Sequence, residues 1–388
     1  MSTITIPGGK LPKGNVLTVN TGSTTTKFAL FRDGEQVIEH KIEHSAEELS
    51  RFEDVMLQDG MRTSAILDVL DEKNVKLEDI DIVMCRGGMF APCLTGVYGI
   101  NSDMREVLLS CRDGKHASSL SALIGEKIAD RVNSLRKEKN IPSRYGDCAA
   151  YVADAPRADE KLPECKLSGV PEFSRISIFH VLNSRATLRR YLADTGRTQE
   201  NSTVIICHMG GGITVSLHRA GRVIDANDGL GGDGPITPER AGTCPAMQLV
   251  EMCYSGRYTK EEVKRKLVGK GGAVAYFGTN NMREVERKAA EGVPEYVLFM
   301  KAFVLDIAKE IASQSTVVDG KVDAILLTGG IAHSKNITDG IKEKVSFIAP
   351  VIVYPGENEL ESLAENGYII LAGDAKIHTY NKDHLIED

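Results

Sequence analysis

The apolar and polar positions of residues 16–31, VLTVNTGSTTTKFALF, place a β-branched run before a small polar bend and a second apolar run after it. That is the pattern of a hairpin with Asn20, Thr21, Gly22 and Ser23 at its tip. Residues 204–217, VIICHMGGGITVSL, repeat it at an offset of 188 (208 − 20), with Asn20 opposite His208, Gly22 opposite Gly210 and Ser23 opposite Gly211. Each copy is followed by a second turn, Arg32-Asp33-Gly34 or Arg219-Ala220-Gly221, and by a third apolar run. At an offset of 242 (329 − 87), residues 81–89, DIVMCRGGM, lie over 323–331, DAILLTGGI, both buried-strand runs ending in Gly-Gly. Two motifs recurring in the same order predict two related α/β units whose turns face one cleft.

Between the repeats, periodicity predicts a helix over 47–70, with Leu49, Phe52, Val55, Met56, Ile66, Val69 and Leu70 apolar, and a strand over 79–85 that delivers Arg86. An Asn-Ser cap opens a short helix within 99–110, a helix runs over about 119–137, and a strand over 148–154 ends at Asp154. The Pro-broken segment 155–171 marks a domain boundary. A helix over 177–192 would set His180 beside its apolar stripe. Residues 228–243, rich in Gly, Pro and Asp, form a loop, and helices are expected over 247–254, 260–267 and 297–315. A strand over 323–330 and a final buried strand over 347–354 precede an acidic helix that returns the chain to the first unit. The expected domains are 1–156 plus 357–388, and 157–356.

The 388 residues allow two or three domains, and a net charge of −7 without a dense basic block argues against nucleic acid as a partner. The N-terminal stretch lacks a signal peptide's apolar core, and no apolar run approaches the roughly 20 residues of a membrane helix, so a cytoplasmic protein without membrane contact is expected. Eight cysteines occur singly, without C-x-x-C spacing, and most are expected to be small buried residues.

The first bend suits phosphate: Gly22 lets backbone N–H groups approach a ligand, Ser23 and the threonines add hydroxyls, and Lys27 adds charge. It is not a P-loop or a protein-kinase loop, because neither signature occurs, and a dinucleotide site would need G-x-G-x-x-G opening a helix, whereas here the glycines join two strands. Phosphoryl transfer needs alignment, Mg²⁺ and positive donors. Arg86, His116, His180, His208 and Arg240 are candidates to surround the γ-phosphoryl group, and Asp154, Asp225 and Glu359 to hold Mg²⁺ through water. Taken singly, Arg86 could equally tie down a loop, His116 could be a capping residue, and His180 could be a satisfied core histidine.

Long motifs in order carry a resemblance: VNTGSTTTK at 19–27, RGGMFAPCLTGVYGIN at 86–101, GKHASSL at 114–120, SIFHVLNSRA at 177–186, HMGGGITVSLHRAGRVIDAND at 208–228, GPITPERAG at 234–242, GKGGAVAYFGTNNMREVE at 269–286, LTGGIAHSK at 327–335 and FIAPVIVYPGENELESLAE at 347–365. The chain resembles the acetokinase family, its butyrate kinase branch more closely, within the actin, sugar-kinase and Hsp70-like superfamily. The resemblance implies an α/β fold of two duplicated ribonuclease-H-like (actin-like ATPase) domains with a nucleotide cleft between them. It also implies reversible phosphorylation of a short-chain carboxylate by ATP with Mg²⁺, giving an acyl phosphate and ADP. Butyrate is the expected acceptor, with isobutyrate, propionate and acetate as alternatives, and a nucleotide-switch protein of the actin or Hsp70 kind is the rival class. Carried over by motif, Asn20, Ser23 and Lys27 correspond to a first phosphate turn, and His208, Gly210 and Gly212 to a second. Arg86 corresponds to the substrate-side arginine, His116 and His180 to histidines near the transferring group, and Asp154 to the catalytic acidic residue. Asn281, Met282, Arg283, Gly330 and Ile331 correspond to an adenosine pocket, and Glu359 with Asn20 to the magnesium site, with Glu357 competing. Acetate kinases carry a second arginine in a G-T-R segment that here reads Gly242-Thr243-Cys244, and Arg240 of P-E-R is the substitute. Met89, Phe90 and Val97 are expected to line the acyl pocket. The family's habit further implies a homo-oligomer, a dimer or larger.

Overall fold

The computed structural model describes Ile4, Ile6 and residues 10–385. In chain order its strands are β1 (Asn15–Thr21), β2 (Thr25–Arg32), β3 (Glu35–Glu43), β4 (Ile82–Arg86), β5 (Val97–Gly99), β6 (Ala149–Ala153), β7 (Thr203–Met209), β8 (Ile213–Arg219), β9 (Arg222–Ala226), β10 (Ala324–Gly329), β11 (Val351–Pro355) and β12 (Ile377–His378). Two compact units form, one from residues up to Asp159 together with those from Asn358, the other Glu160–Glu357. The divisions follow the bonding. Asp159 N–H donates to the Cys93 carbonyl, whereas the Glu160 carboxylate accepts from Val223 N–H.

In the first unit the sheet order is β12-β5-β6-β4-β1-β2-β3. Strands β1 and β4 are buried almost continuously because helices cover both faces. Helix Leu120–Glu138 approaches through Gly125, where a Cβ would fall 2.2 Å from Cys85 Sγ, and helix Glu359–Ala372 approaches the other face through Gly367, where a Cβ would fall 2.7 Å from Val16. The second helix is pinned further by the Tyr368 hydroxyl, which donates to the Gly14 carbonyl and accepts from Gly34 N–H.

The second unit repeats the core with order β11-β10-β7-β8-β9. Here parity sorts the two faces. Val204, Ile206 and Leu326 pack against Leu188 and Tyr191 of helix Val181–Thr195. Ile205, Cys207, Ile325 and Leu327 join the cluster that holds Phe299, Phe303, Ile307 and Ile311, spaced by four along helix Pro294–Thr316. The duplication extends to register: Val16 pairs with Ile82 as Val204 pairs with Ala324. It extends to a clasp as well. Asp81 accepts Asn15 N–H at 2.8 Å, and Asp323 accepts Thr203 N–H at 2.8 Å, each where the two central parallel strands begin.

Several expected elements change. The helix over 47–70 divides into Ala46–Leu49, a 3₁₀ turn Val55–Gln58 and helix Asp59–Glu72, because the Asp54 side chain caps Met56 N–H and restarts the chain. The helix expected from 177 starts at Val181, since Ile178 forms a bridge with Asp228 and its carbonyl accepts Gly229 N–H. The strand expected over 347–354 begins at Val351, lies at a sheet edge, and leaves Phe347 81% exposed. Helices Gly272–Phe277 and Met282–Ala290 were not anticipated. Of the cysteines, all free, only 85, 93, 148 and 207 are buried. No helix among the described residues is long and apolar enough to cross a membrane.

Candidate functional site

In the first unit three predicted residues meet where β1, β4 and the last helix converge. Arg86, at the end of β4, lies 3.1 Å from Glu359 Oε1 and donates from Nη1 to Asn20 Oδ1 at 3.3 Å. The Asn20 amide donates to Glu359 Oε2. Lys27, opposite Asn20 in the hairpin register, leaves the same face of the sheet and is exposed, as is Ser23 at the bend. His116 caps the 3₁₀ turn Ala117–Ser119: its Nδ1 accepts Ser118 N–H at 3.1 Å, so in the neutral ring the proton belongs to Nε2. Although His116 as a residue is exposed, desolvation by the surrounding chain lowers its pKa, and the Arg86 charge lowers it further. Asp154 follows β6 with φ 49° and is buried; its carboxylate accepts Gly96 N–H at 2.9 Å while its own N–H donates to the Gly96 carbonyl.

The bend of the first unit has a support that motif reading missed. Arg62, on helix Asp59–Glu72, is fully buried beneath it. Nη1 donates to the carbonyls of Gly22 and Thr25, both at 2.9 Å, and Nη2 to the Ser23 carbonyl at 2.9 Å, while Nε and Nη2 share Gln58 Oε1. The signal was present, because Arg62 falls four residues before Ile66 and eight before Leu70, on the buried stripe of its helix.

In the second unit the bend is one residue tighter. Four residues separate the paired Thr21 and Thr26, whereas three, Gly210 to Gly212, separate Met209 and Ile213. His208, at the end of β7, donates through Nδ1 to Asn183 Oδ1 at 2.9 Å, and its Nε2 stands 3.2 Å from Glu357 Oε2 without hydrogen-bond alignment. His180 precedes its helix rather than riding on it, so its ring stacks on that of His208 at 3.8 Å between centroids and 19° between planes. Its Nδ1 is 2.9 Å from Thr214 Oγ1. Arg240 is held by its N–H to Thr237 Oγ1 at 2.9 Å and by Nη1 donating to the Gly229 carbonyl, with its guanidinium packed on Gly212. Burial lowers its pKa from the usual arginine value.

A cavity of about 610 Å³ opens beside this bend, lined by Gly210, Gly211, Asn281, Met282, Arg283, Gly330, Ile331 and Glu357 among others. The structure thus gathers all five residues expected of the adenosine pocket. Asn281 is also the cap of helix Met282–Ala290, accepting Arg283 N–H. Glu357 belongs with His208 and this cavity, whereas Glu359 belongs with Asn20 and Arg86.

Asp225 is paired with Lys161 at 3.1 Å, and Lys161 also donates to the Ala226 carbonyl. Met89, Phe90 and Val97 are buried, and Phe90 packs edge-on against Tyr98 and Tyr380 at 5.8 and 5.0 Å.

Two copies of a strand–bend–strand unit, each carrying polar groups at the bend and at the end of a parallel strand, define a duplicated α/β fold of the actin-like ATPase type. Among solved structures the chain is similar to the acetate kinase of Porphyromonas gingivalis, with a TM-score of 0.71, 16% identity, and 92% of this chain and 100% of that chain covered. A family profile described as the acetokinase family matches residues 180–372. The chain is 40% identical to Butyrate kinase 2 of Clostridium acetobutylicum over 368 residues, covering 95% of this chain and 99% of that protein. It is 42% identical to the Probable butyrate kinase of Phocaeicola vulgatus, with the same coverage. The chain belongs to the acetokinase family.

Proposed function

We propose that the chain transfers the γ-phosphoryl group of ATP to the carboxylate of butyrate, reversibly, giving butanoyl phosphate and ADP. The observation that carries this reading is the 40–42% identity to butyrate kinases along nearly the whole of both chains. The acceptor needs no general base, because a carboxylic acid with a pKa of about 4 to 5 is already ionised at neutral pH. Arg86 receives it; the carboxylate of Glu359 at 3.1 Å supports the reading that this guanidinium can grip such a group. His180 and Arg240 bear on the charge of the transferring phosphoryl group, and neutral His116 offers it Nε2–H. Asn20, Ser23 and Lys27 serve as one phosphate turn, and His208, Gly210 and Gly212 as the other. Asp154 is the acidic residue of the set, acting through the Gly96 backbone it fastens.

Magnesium is implied by the family, and the donors suit it. Among the described residues no three His, Cys, Asp or Glu side chains gather as a metal cage. A hard ion that keeps its waters and binds phosphate oxygens needs only one or two protein oxygens, here Glu359 and Asn20. When bound, it neutralises charge on the phosphate oxygens. We further place the enzyme in the cytoplasm as a homo-oligomer. Exposed Met247, Val250 and Tyr254, at helical spacing on Ala246–Tyr254, support self-association.

The test is trapping with hydroxylamine. Butyrate, ATP and Mg²⁺ should yield butanoyl hydroxamate, with butyrate giving the highest kcat/KM in a series with isobutyrate, valerate, propionate and acetate. ATP hydrolysis without any hydroxamate would overturn the reading.

A further inference from the structure

We infer that Arg62 is a positioning residue that turns the first bend into an anion-binding nest; this rests on the reading of that bend as a phosphate turn. The argument is one of peptide geometry. In a trans peptide the C=O and the following N–H point in opposite directions. The carbonyls of Gly22 and Ser23 point inward to the buried guanidinium, so the N–H groups of Ser23 and Thr24 point outward. The Thr24 carbonyl is taken by His44 N–H, and the Thr25 carbonyl by Gly22 N–H as well as by Arg62. Every carbonyl of the bend is therefore drawn away from the ligand side, and two successive N–H donors are left for an anion.

The charge matters as well as the fork. All Arg62 acceptors are neutral: three backbone carbonyls, the Thr26 hydroxyl and the Gln58 amide oxygen. A buried cation that hydrogen-bonds no carboxylate, with only the Glu48 charge favouring it through space, is costly unless something else uses its charge. A triphosphate tail seated on the bend is the ligand chemistry that would do so. Lysine could keep the charge but not the fork that reaches three carbonyls at once.

The experiment compares ATP with adenosine on the full chain by calorimetry, for wild type and Arg62→Lys, alongside KM for ATP and butyrate. The expected result is a Kd for ATP raised about tenfold or more, the scale of one lost charged hydrogen bond. The Kd for adenosine and the KM for butyrate should stay within about twofold. A purely structural arginine would lower the melting temperature while leaving the ATP-to-adenosine ratio alone, and an unchanged ratio in folded Arg62→Lys overturns the inference. If that variant does not fold, Gln58→Leu, which removes the shared acceptor of Nε and Nη2 but keeps the arginine, decides by the same ratio. Wild-type protein that binds ATP yet forms no butanoyl hydroxamate would defeat the proposed reaction alone, leaving the ratio to judge Arg62.

Discussion

Replacing Gly212 with alanine should disable Arg240 without unfolding the second unit. A Cβ at Gly212 would fall 2.1 Å from Arg240 Nη1 and 2.5 Å from its Cζ, so the guanidinium must leave its place. Gly212 has no left-handed φ, and alanine brings no backbone strain there. On the stability side, the bond from Nη1 to the Gly229 carbonyl is lost, at about 1 kcal/mol. Stiffening the unfolded chain offsets about 0.4–1 kcal/mol of that, so the urea midpoint should hardly move. On the catalytic side, an arginine that bears on phosphoryl charge and is displaced loses about 1.5–3 kcal/mol of charged hydrogen bonding. That predicts a fall in kcat/KM of about 10- to 150-fold, read by the hydroxamate assay. The double variant Gly212→Ala/Arg240→Ala should be no worse than Arg240→Ala, because both act through one group. Wild-type kcat/KM in Gly212→Ala, or losses that simply add in the double variant, would refute the chain of reasoning from glycine to guanidinium to phosphoryl group.

Arg86→Ala should lower kcat/KM for butyrate by at least about tenfold while ATP still binds, as judged by calorimetry; near-normal turnover would remove Arg86 from the substrate site. His218 is buried on β8 with its pKa pushed down to about 3, first by burial and then by Arg185. Below its ordinary value near 6.5 the unfolded chain takes up a proton that the native ring refuses, so stability falls with pH between about 6.5 and 3, by about 1.4 kcal/mol per unit for this group. His218→Gln should reduce the proton uptake on unfolding at pH 5 by nearly one, measured from the pH dependence of urea midpoints; an unchanged uptake would contradict the buried neutral ring. Asp81→Asn and Asp323→Asn each weaken one of the duplicated clasps and should each lower unfolding free energy by about 1–3 kcal/mol in denaturant melts. A loss in only one would mean that the matched geometry does not carry matched weight.

What was legible in the chain followed from periodicity and repetition. The two hairpins and the two Asp-led strands showed in the letters because alternation fixes strand faces and a repeat fixes order. Helix starts were less legible. The apolar residues near 178–182 read as a helix, yet Ile178 is used by a bridge to Asp228 50 residues away, which no local pattern records. Met282–Ala290 carried its signal in Asn281, a cap read only as a pocket residue. Glu357 and Glu359 are two apart in PGENEL and fall in different units, so spacing alone had no means of separating them. The stacking of His180 on His208 arises because the helix that His180 precedes lies on β7, a tertiary fact. Arg62 was legible in principle, as a charge on a buried helical stripe, but only to a reader who asked what a buried arginine would hold.

The comparison of the two bends shows how one geometry was kept while its chemistry diverged. In both, the first N–H of the bend returns to the carbonyl of its last residue: Gly22 to Thr25 at 2.8 Å, and Gly210 to Gly212 at 3.0 Å. In the first, the Gly22 and Ser23 carbonyls are drawn in by a buried arginine from a neighbouring helix and the Thr24 carbonyl accepts His44 N–H; in the second, the Gly211 carbonyl accepts the Thr237 hydroxyl at 2.9 Å. The first bend can then carry Ser and Thr side chains, because its donors are oriented from below by a strong fork. The second, one residue shorter and packed against Arg240, admits no Cβ at Gly212 without moving that guanidinium. On the proposed reading of both bends as phosphate turns, the glycines of the second and the arginine under the first answer one requirement, that backbone N–H groups face an anion. Substitution at either should be felt first by the phosphate tail and only afterwards by the fold.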